Sequence, residues 1–191
     1  MVGFFKGTAT AMVTPFKDGE VNFEAFGKMI EYQIENGTDM LLVLGTTGEP
    51  PTMTDEEKAA VMRFTAERAK GRAKIMFGCG SNSTAHAVEM AKLAESIGAD
   101  GLLAVTPYYN KCTQNGIVEY YKAICSAVSI PVIAYNVPPR TGVNILPATA
   151  EKLAEIPNMA GIKEACGNME QICETMRRVR GKMDVYSGDD N

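Results

Sequence analysis

The chain has 191 residues, of which 46% are hydrophobic and 22% are charged, and its formal net charge is −4. These values are typical of a globular protein with one sizeable core. Because the chain has no long basic run, neither nucleic acid nor an anionic membrane surface is an expected partner. The longest charge-free stretch, 123–139, contains three prolines and does not suit a membrane-spanning helix. We therefore expect a cytoplasmic protein.

Short apolar runs alternate along the chain with longer segments of helical periodicity. Seven runs predict strands, at 8–13, 40–44, 75–78, 101–105, 132–135, 160–163 and 185–187. Six segments predict helices, at 23–36, 55–70, 84–97, 116–127, 147–155 and 169–180. Thr54 and Glu57 form an expected capping box, and Gly37 and Gly98 are expected helix stops. Several runs are uniformly apolar, which indicates a sheet that is buried on both faces.

The alternation of strand and helix, without a hairpin signal, predicts a parallel sheet with helices outside it. The regular repeat and the lack of a Gly-x-Gly-x-x-Gly sequence after the first strand favour a (β/α)8 barrel over a doubly wound sheet. The eighth strand and the last helices have no counterpart among the predicted elements. We therefore expect residues 1–191 to form a single TIM-barrel domain that is truncated at its C-terminus. A swapped arrangement with another copy would cover the two open sheet edges.

The cysteine and histidine content argues against disulfide and metal chemistry. The five cysteines are an odd number, and no two of them form a C-x-x-C pair. A disulfide framework or a structural zinc site is therefore not expected, and we expect reduced, mostly buried thiols. His86 is the single histidine, which excludes a multi-histidine metal site.

Lys163 follows the apolar run 159–162 and precedes a turn, so we expect it at the carboxyl end of a buried strand. Active sites of (β/α)8 barrels lie at that end of the strands. A desolvated lysine loses affinity for its proton, and the neutral amine can attack a carbonyl carbon to form a Schiff base. Taken alone, a lysine at a strand end is more often a solvated charge.

Other polar residues follow the predicted strands at the same end. The segment 45–49, Gly-Thr-Thr-Gly-Glu, predicts either an ordinary turn or a loop that binds a carboxylate through hydroxyl and backbone N–H groups. Tyr135 is expected next to the strand of Lys163, and Arg140 lies in a proline-stiffened loop, where it is either solvated or in reach of an anionic substrate. Gly188 permits close approach. Together, these residues suit Schiff-base chemistry on a 2-oxo acid.

The chain resembles the dihydrodipicolinate synthase family in five segments, which occur in the family's order. The segments are LGTTGE at 44–49, TPYYN at 106–110, YNVPPRTG at 135–142, GIKE at 161–164 and SGDD at 187–190. The resemblance runs over the whole chain but corresponds only to the first part of a family member. The wider group includes N-acetylneuraminate lyase and sugar-acid aldolases, and Arg140 together with the double threonine favours the synthases.

The resemblance implies a lyase that condenses pyruvate with aspartate 4-semialdehyde. Lys163 would form the Schiff base with pyruvate, and the product would be 4-hydroxy-tetrahydrodipicolinate, in lysine and diaminopimelate biosynthesis. Tyr135, Thr46 and Tyr109 would relay protons. The family implies that a neighbouring subunit supplies Tyr109, so that a homotetramer of two tight dimers is part of the mechanism.

The same resemblance implies the residues that bind the substrates. Thr46 and Thr47 would bind the pyruvate carboxylate, Arg140 would bind the carboxylate of the semialdehyde, and Gly188 would line the pyruvate pocket. No metal and no organic cofactor are implied.

Two other functions are open at the level of the sequence. Another pyruvate-dependent lyase, acting on N-acetylneuraminate or on 2-keto-3-deoxy sugar acids, would use the same lysine. A catalytically silent fragment could instead serve as an oligomerising module. The absent eighth strand favours this second reading, because without that wall the amine of Lys163 would be hydrated and would keep its proton.

Overall fold

The structure is a computed structural model that describes residues 3–69 and 71–189. Two ends of predicted segments, Lys70 in the second helix and Asp190 in the last motif, lie outside the described residues. The chain divides into two compact units. The N-terminal unit comprises Phe5–Gly78 and Leu93–Gly101, and the C-terminal unit comprises 3–4, Cys79–Lys92 and 102–189. The prediction of a single truncated domain over residues 1–191 stays a prediction.

The N-terminal unit contains three parallel strands in the order β1 (Ala9–Ala11), β4 (Met40–Val43) and β5 (Lys74–Gly78). Met40 of β4 pairs with Ala9 of β1 on one side and with Lys74 of β5 on the other. All four residues of β4 are buried, as its apolar sequence predicts. The elements of this unit are β1 (Ala9–Ala11), β2 (Phe16–Lys17), β3 (Glu20–Val21), α1 (Phe23–Glu35), β4 (Met40–Val43), α2 (Asp55–Ala69) and β5 (Lys74–Gly78).

A short antiparallel ribbon in this unit was not predicted. Strands β2 and β3 pair through Phe16 with Val21 and through Lys17 with Glu20. The two residues between them, Asp18 and Gly19, have φ of 54° and 86°. An Asp-Gly pair with positive φ at both positions is a strong hairpin signal. The interpretation that the chain lacks a hairpin signal was therefore wrong at this point.

The C-terminal unit contains four parallel strands in the order β6, β7, β8, β9. Every residue of β7 is buried, and β8 is buried except at Lys163, which is half-buried. The elements that follow β5 along the chain are α3 (Thr84–Ile97), β6 (Gly101–Val105), α4 (Gln114–Ala127), β7 (Val132–Asn136), α5 (Pro138–Thr141), α6 (Pro147–Leu153), β8 (Met159–Glu164), α7 (Met169–Val179) and β9 (Asp184–Ser187). The last part of α3 and the first residue of β6 belong to the N-terminal unit. The seven predicted strands and six predicted helices are confirmed, with ends that differ by up to two residues.

The signals that begin and end the helices act as expected. The backbone N–H of Thr54 donates to Oε2 of Glu57 at 2.7 Å, and the N–H of Glu57 donates to Oγ1 of Thr54 at 3.2 Å, so the predicted capping box is confirmed. Gly37 and Gly98 have φ of 80° and 99°, which is the left-handed conformation that ends a helix.

The cysteines in the described residues are all free thiols. Cys79 and Cys125 are buried, Cys112 and Cys166 are half-buried, and Cys173 is exposed. The prediction that most of them are buried was therefore wrong. Burial raises the pKa of both Cys79 and Cys125 to about 12, so these two thiols are protonated and unreactive. Within the part of the chain that the structure describes, we find no helix with the length and apolar character needed to cross a membrane.

Candidate active site

The ends of β7 and β8 place Tyr135 and Lys163 opposite each other. These residues are register partners on adjacent parallel strands. The Nζ atom of Lys163 lies 4.6 Å from the centroid of the Tyr135 ring. The tyrosine side chain is 7% exposed, and the lysine is half-buried. An amine and a phenol therefore share a partly desolvated position at the carboxyl end of the sheet, where barrel active sites lie.

The loop after β9 brings Gly188 against the lysine. The N–H of Gly188 donates to the carbonyl oxygen of Glu164 at 2.8 Å, which fixes the loop to the end of β8. A Cβ atom at position 188 would lie 2.9 Å from Cε of Lys163 and 3.0 Å from Cβ of Ala165. Only a glycine fits here without displacing a neighbour, so the close approach that the sequence suggested occurs directly beside the amine.

Arg140 lies on α5, a single helical turn directly after β7, and its side chain is exposed. Pro138 begins this turn, and Gly142 ends it with a φ of 69°. Beneath it, the buried hydroxyl of Thr141 contacts the carbonyl oxygen of Val137 at 3.2 Å and accepts from the N–H of Val143 at 3.1 Å. Arg140 therefore lies on a turn that hydrogen bonds hold in place, while its guanidinium group is exposed and accessible to a ligand.

Tyr109 is the most exposed large aromatic residue among the described residues, with an exposed fraction of 86%. Its φ of 71° is in the left-handed region, which is unusual for a tyrosine. The N–H of Asn110 donates to the carbonyl oxygen of Tyr108 at 2.9 Å, so the loop turns sharply here and directs Tyr109 outward. The structure does not bring Tyr109 to Lys163 within the C-terminal unit.

Thr46 and Thr47 lie in the N-terminal unit, on a 3-10 turn that spans Thr46–Gly48 after β4. Both threonines are exposed. The turn is fixed beneath them because the buried hydroxyl of Thr14 donates to the carbonyl oxygen of Gly48 at 2.8 Å. A Cβ atom on Gly48 would lie only 3.3 Å from the carbonyl oxygen of Met12. Two hydroxyl groups are thus presented to solvent on a constrained loop, which suits carboxylate binding.

A buried polar pair behind the amine was not predicted from the sequence. Asn136 and Glu164 follow Tyr135 and Lys163 directly, and they are also register partners. Nδ2 of Asn136 donates to Oε1 of Glu164 at 2.8 Å and to Oε2 at 3.1 Å. Burial raises the pKa of Glu164, while hydrogen bonds from the Cys166 thiol, from the Asn136 amide and from backbone N–H groups oppose that rise. The signal that could have revealed the pair is an amide and a carboxyl at equivalent positions of two apolar strands.

Among the described residues, no group of three or more histidine, cysteine, aspartate or glutamate side chains is arranged to hold a metal ion.

A sequence model of the Dihydrodipicolinate synthetase family matches residues 4–191. The 4-hydroxy-tetrahydrodipicolinate synthase of Caldicellulosiruptor bescii is 51% identical over 191 residues, which are 100% of this chain and 64% of that protein. The synthase of Alkaliphilus oremlandii is 50% identical over 187 residues, covering 98% of this chain and 64% of that protein. The chain therefore belongs to the dihydrodipicolinate synthetase family, and it spans somewhat less than two thirds of the length of these relatives.

Solved structures agree with the sequence relatives. The dihydrodipicolinate synthase of Aquifex aeolicus has a TM-score of 0.95 and 48% identity, covering 97% of this chain and 64% of that one. The chloride-inhibited synthase of Acinetobacter baumannii, solved in complex with pyruvate, has a TM-score of 0.94 and 48% identity, covering 96% and 64%. The predicted fold class, a TIM barrel that is incomplete at its C-terminus, is confirmed.

Proposed function

We propose that this chain contributes the Schiff-base site of a lyase that condenses pyruvate with aspartate 4-semialdehyde to give 4-hydroxy-tetrahydrodipicolinate, in lysine and diaminopimelate biosynthesis. The observation that carries the proposal is the position of the Lys163 amine, 4.6 Å from the centroid of the Tyr135 ring at the ends of adjacent strands. The relatives named above are synthases of this product, and one of them was solved with pyruvate bound.

The proposed reaction begins when the unprotonated amine of Lys163 attacks the keto carbon of pyruvate. Water leaves, and an imine joins the lysine to the substrate. Loss of a proton from the methyl group gives an enamine, whose carbon attacks the aldehyde carbon of the semialdehyde, and the aldehyde oxygen takes up a proton to become the 4-hydroxyl group. The amino group of the semialdehyde then attacks the imine carbon and the C–N bond to Lys163 breaks, which closes the ring and returns the free amine. Tyr135, Thr46 and Tyr109 relay the protons of these steps. The half-buried position of Lys163 beside Tyr135, at the carboxyl end of β8, supports this role.

The substrate-binding roles are part of the same proposal. Thr46 and Thr47 bind the pyruvate carboxylate, and Arg140 binds the carboxylate of the semialdehyde. Their exposure on turns with fixed bases supports these roles. Gly188 lines the pyruvate pocket, which is supported by its close contact with Lys163.

We also propose a homotetramer built as a dimer of dimers, in which a neighbouring subunit supplies Tyr109. The exposed fraction of 86% for this large aromatic side chain supports a role outside its own subunit. A swapped dimer is the alternative assembly. A cytoplasmic location is supported by the five free thiols, because free cysteines persist in a reducing compartment.

Reduction with borohydride in the presence of pyruvate tests the chemistry directly. We expect a stable adduct on the peptide that contains Lys163, and no adduct in Lys163→Ala. Lys92→Ala, which removes another lysine of the C-terminal unit, is the matched control and should still be trapped. A wild-type chain that remains unlabelled at saturating pyruvate would contradict the proposal and would favour a catalytically silent module.

Turnover separates the synthase from the other pyruvate-dependent lyases. Aspartate semialdehyde should consume pyruvate in the presence of the protein, whereas N-acetylneuraminate and 2-keto-3-deoxy sugar acids should release none. A reversed preference would assign the same lysine to a lyase of the wider group.

A further inference from the structure

Directly behind the candidate site lies a buried polar pair, Asn136 and Glu164. Their exposed fractions are 0% and 2%. Buried carboxylates are uncommon unless they are paired or fully hydrogen-bonded, since taking a charge out of water is costly. A well-packed apolar pair of similar volume would hold two strands together at least as well. Packing alone therefore does not account for a carboxylate at this position.

The backbone of the same two residues fixes the strand ends that carry the reactive side chains. The N–H of Ala165 donates to the carbonyl oxygen of Asn136 at 2.9 Å, and the N–H of Gly188 donates to the carbonyl oxygen of Glu164 at 2.8 Å. Because successive side chains of a strand point to opposite faces, Tyr135 and Lys163 share the face opposite to this pair. A shift of Asn136 against Glu164 would therefore shift the phenol against the amine.

The pair continues into the loop that follows Arg140. Nδ2 of Asn136 also donates to Oδ1 of Asn144 at 3.0 Å, and Oδ1 of Asn136 accepts from the N–H of Ile145 at 2.9 Å. Asn144 in turn donates to Oε1 of Gln171 at 2.8 Å, at the beginning of α7. The network thus joins the ends of β7 and β8 to the loop after α5 and to α7.

The positions of the donors and acceptors allow one orientation of the Asn136 amide beside Glu164. The carboxylate of Glu164 accepts from Nδ2 of Asn136 at 2.8 Å, from the N–H of Cys166 at 3.0 Å and from the thiol of Cys166. Asn136 cannot turn its amide over, because its oxygen is held by the N–H of Ile145. An amide at position 164 would face Nδ2 of Asn136 with a second donor or would lose the bond to Cys166.

We propose that Asn136 and Glu164 are positioning residues, which hold Tyr135 and Lys163 at the separation and orientation needed for imine formation and proton transfer. This inference rests on the proposed Schiff-base function. Because both side chains lie on the strand face opposite to Tyr135 and Lys163, we expect them to affect the rate of imine formation and not the binding of pyruvate.

The test is the rate of borohydride-trapped imine formation on the full chain as a function of pyruvate concentration. We expect Glu164→Gln to slow trapping at saturating pyruvate by about tenfold to a hundredfold, because small misplacements of reacting groups have effects of that size. The pyruvate concentration for half-maximal trapping should change little.

Two controls separate positioning from general destabilisation. Glu170→Gln makes the same chemical change at an exposed residue of α7, and Ile124→Val loosens the buried face of α4 away from the network. Both should trap pyruvate at the wild-type rate per folded molecule, with folding followed by circular dichroism. If Glu164→Gln does not fold, Asn144→Ala decides the question, because it removes one acceptor from Asn136 at a half-buried position and should slow trapping several-fold.

The experiment distinguishes a failure of the positioning role from a failure of the proposed function. A wild-type chain that traps pyruvate, together with a folded Glu164→Gln or Asn144→Ala variant that traps it equally fast, would overturn the positioning role and leave the proposed function intact. A wild-type chain that traps no pyruvate would overturn the proposed function, and the positioning role with it.

Discussion

At the scale of single residues, the position of Lys163 is set by neighbours that leave it little room. Gly188 approaches its side chain so closely that a methyl group would meet Cε at 2.9 Å. On the other side lies the ring of Tyr135, and the main chain of Glu164 fixes the loop of Gly188. The amine therefore has a defined place before any substrate arrives, which is the condition for fast chemistry on a bound carbonyl.

Replacing Gly188 tests this geometry. In Gly188→Ala the new methyl group displaces the flexible end of Lys163, so we expect pyruvate trapping to slow by about tenfold or more. The fold should lose about 1–3 kcal/mol, because the end of the Lys163 side chain can move aside but Cβ of Ala165, at 3.0 Å, cannot. Trapping kinetics and urea unfolding measure the two effects.

Gly116→Ala is the matched control for that experiment. A Cβ atom at position 116 would make only ordinary contacts, at 3.4 Å from Cβ of Cys112 and Oγ1 of Thr113. We expect no change in trapping. Equal trapping by Gly188→Ala and the wild-type chain would show that the space beside Lys163 does not matter.

At the scale of elements, the strands and helices that were predicted correctly are those with a local sequence pattern. Uniformly apolar runs such as 101–105 located the strands, and the strand at Gly101–Val105 has the predicted bounds. The turn Pro138–Thr141 was not predicted as helical, because two prolines followed by Arg140 read equally well as a loop. The Asp18-Gly19 hairpin was missed because its strands have only two residues each and show no alternation.

The candidate site was predictable only where residues follow strands directly. Tyr135 and Lys163 could be placed together because each ends a predicted strand. The bonds from Asn136 to Asn144 and Ile145 could not be predicted, because they depend on the conformation of a loop eight and nine residues further on. The conformation of such a loop has no local signal in a single sequence.

Ion pairs between elements give a prediction for the N-terminal unit. Glu31 of α1 bonds Nε of Arg68 on α2 at 2.6 Å and the guanidinium of Arg72 at 2.8 Å. The hydrogen bond from Arg72, together with Arg68, lowers the pKa of Glu31 to about 2, below the ordinary value of 4.5. A group with a lowered pKa in the folded state stabilises the fold above its ordinary pKa, and this stabilisation is lost as the pH falls towards 2.

We therefore expect Glu31→Gln to lower the urea midpoint at pH 7 and to match the wild-type chain near pH 2. The difference at pH 7 should be small, and it should shrink in about 1 M salt because the pair is partly exposed and screened. Glu67→Gln, an exposed glutamate of α2, is the control and should leave the midpoint unchanged at both pH values. A Glu31→Gln deficit that persists at pH 2 would point to lost packing instead of lost charge.

At the scale of the whole molecule, the exposure of Tyr109 is the feature that one chain does not explain. A tyrosine that is 86% exposed with a φ of 71° is held away from its own subunit by a sharply turned loop. In the proposed assembly, such a side chain would enter the site of a second copy in a symmetric dimer, where each subunit lends the same residue to the other. Catalysis would then require the dimer.

Mixed assemblies test whether Tyr109 acts across subunits. Lys163→Ala retains Tyr109, and Tyr109→Phe retains Lys163, so each variant alone should be nearly inactive. After joint unfolding and refolding at equal amounts, half of the dimers contain one of each, and one of their two sites is complete, so about a quarter of the wild-type turnover should return. The control is a mixture of Lys163→Ala with Tyr32→Phe, which changes an exposed tyrosine of α1. It measures the turnover when the second subunit retains both Lys163 and Tyr109. If the first mixture stays as inactive as its components while light scattering detects mixed oligomers, Tyr109 does not serve a neighbouring site.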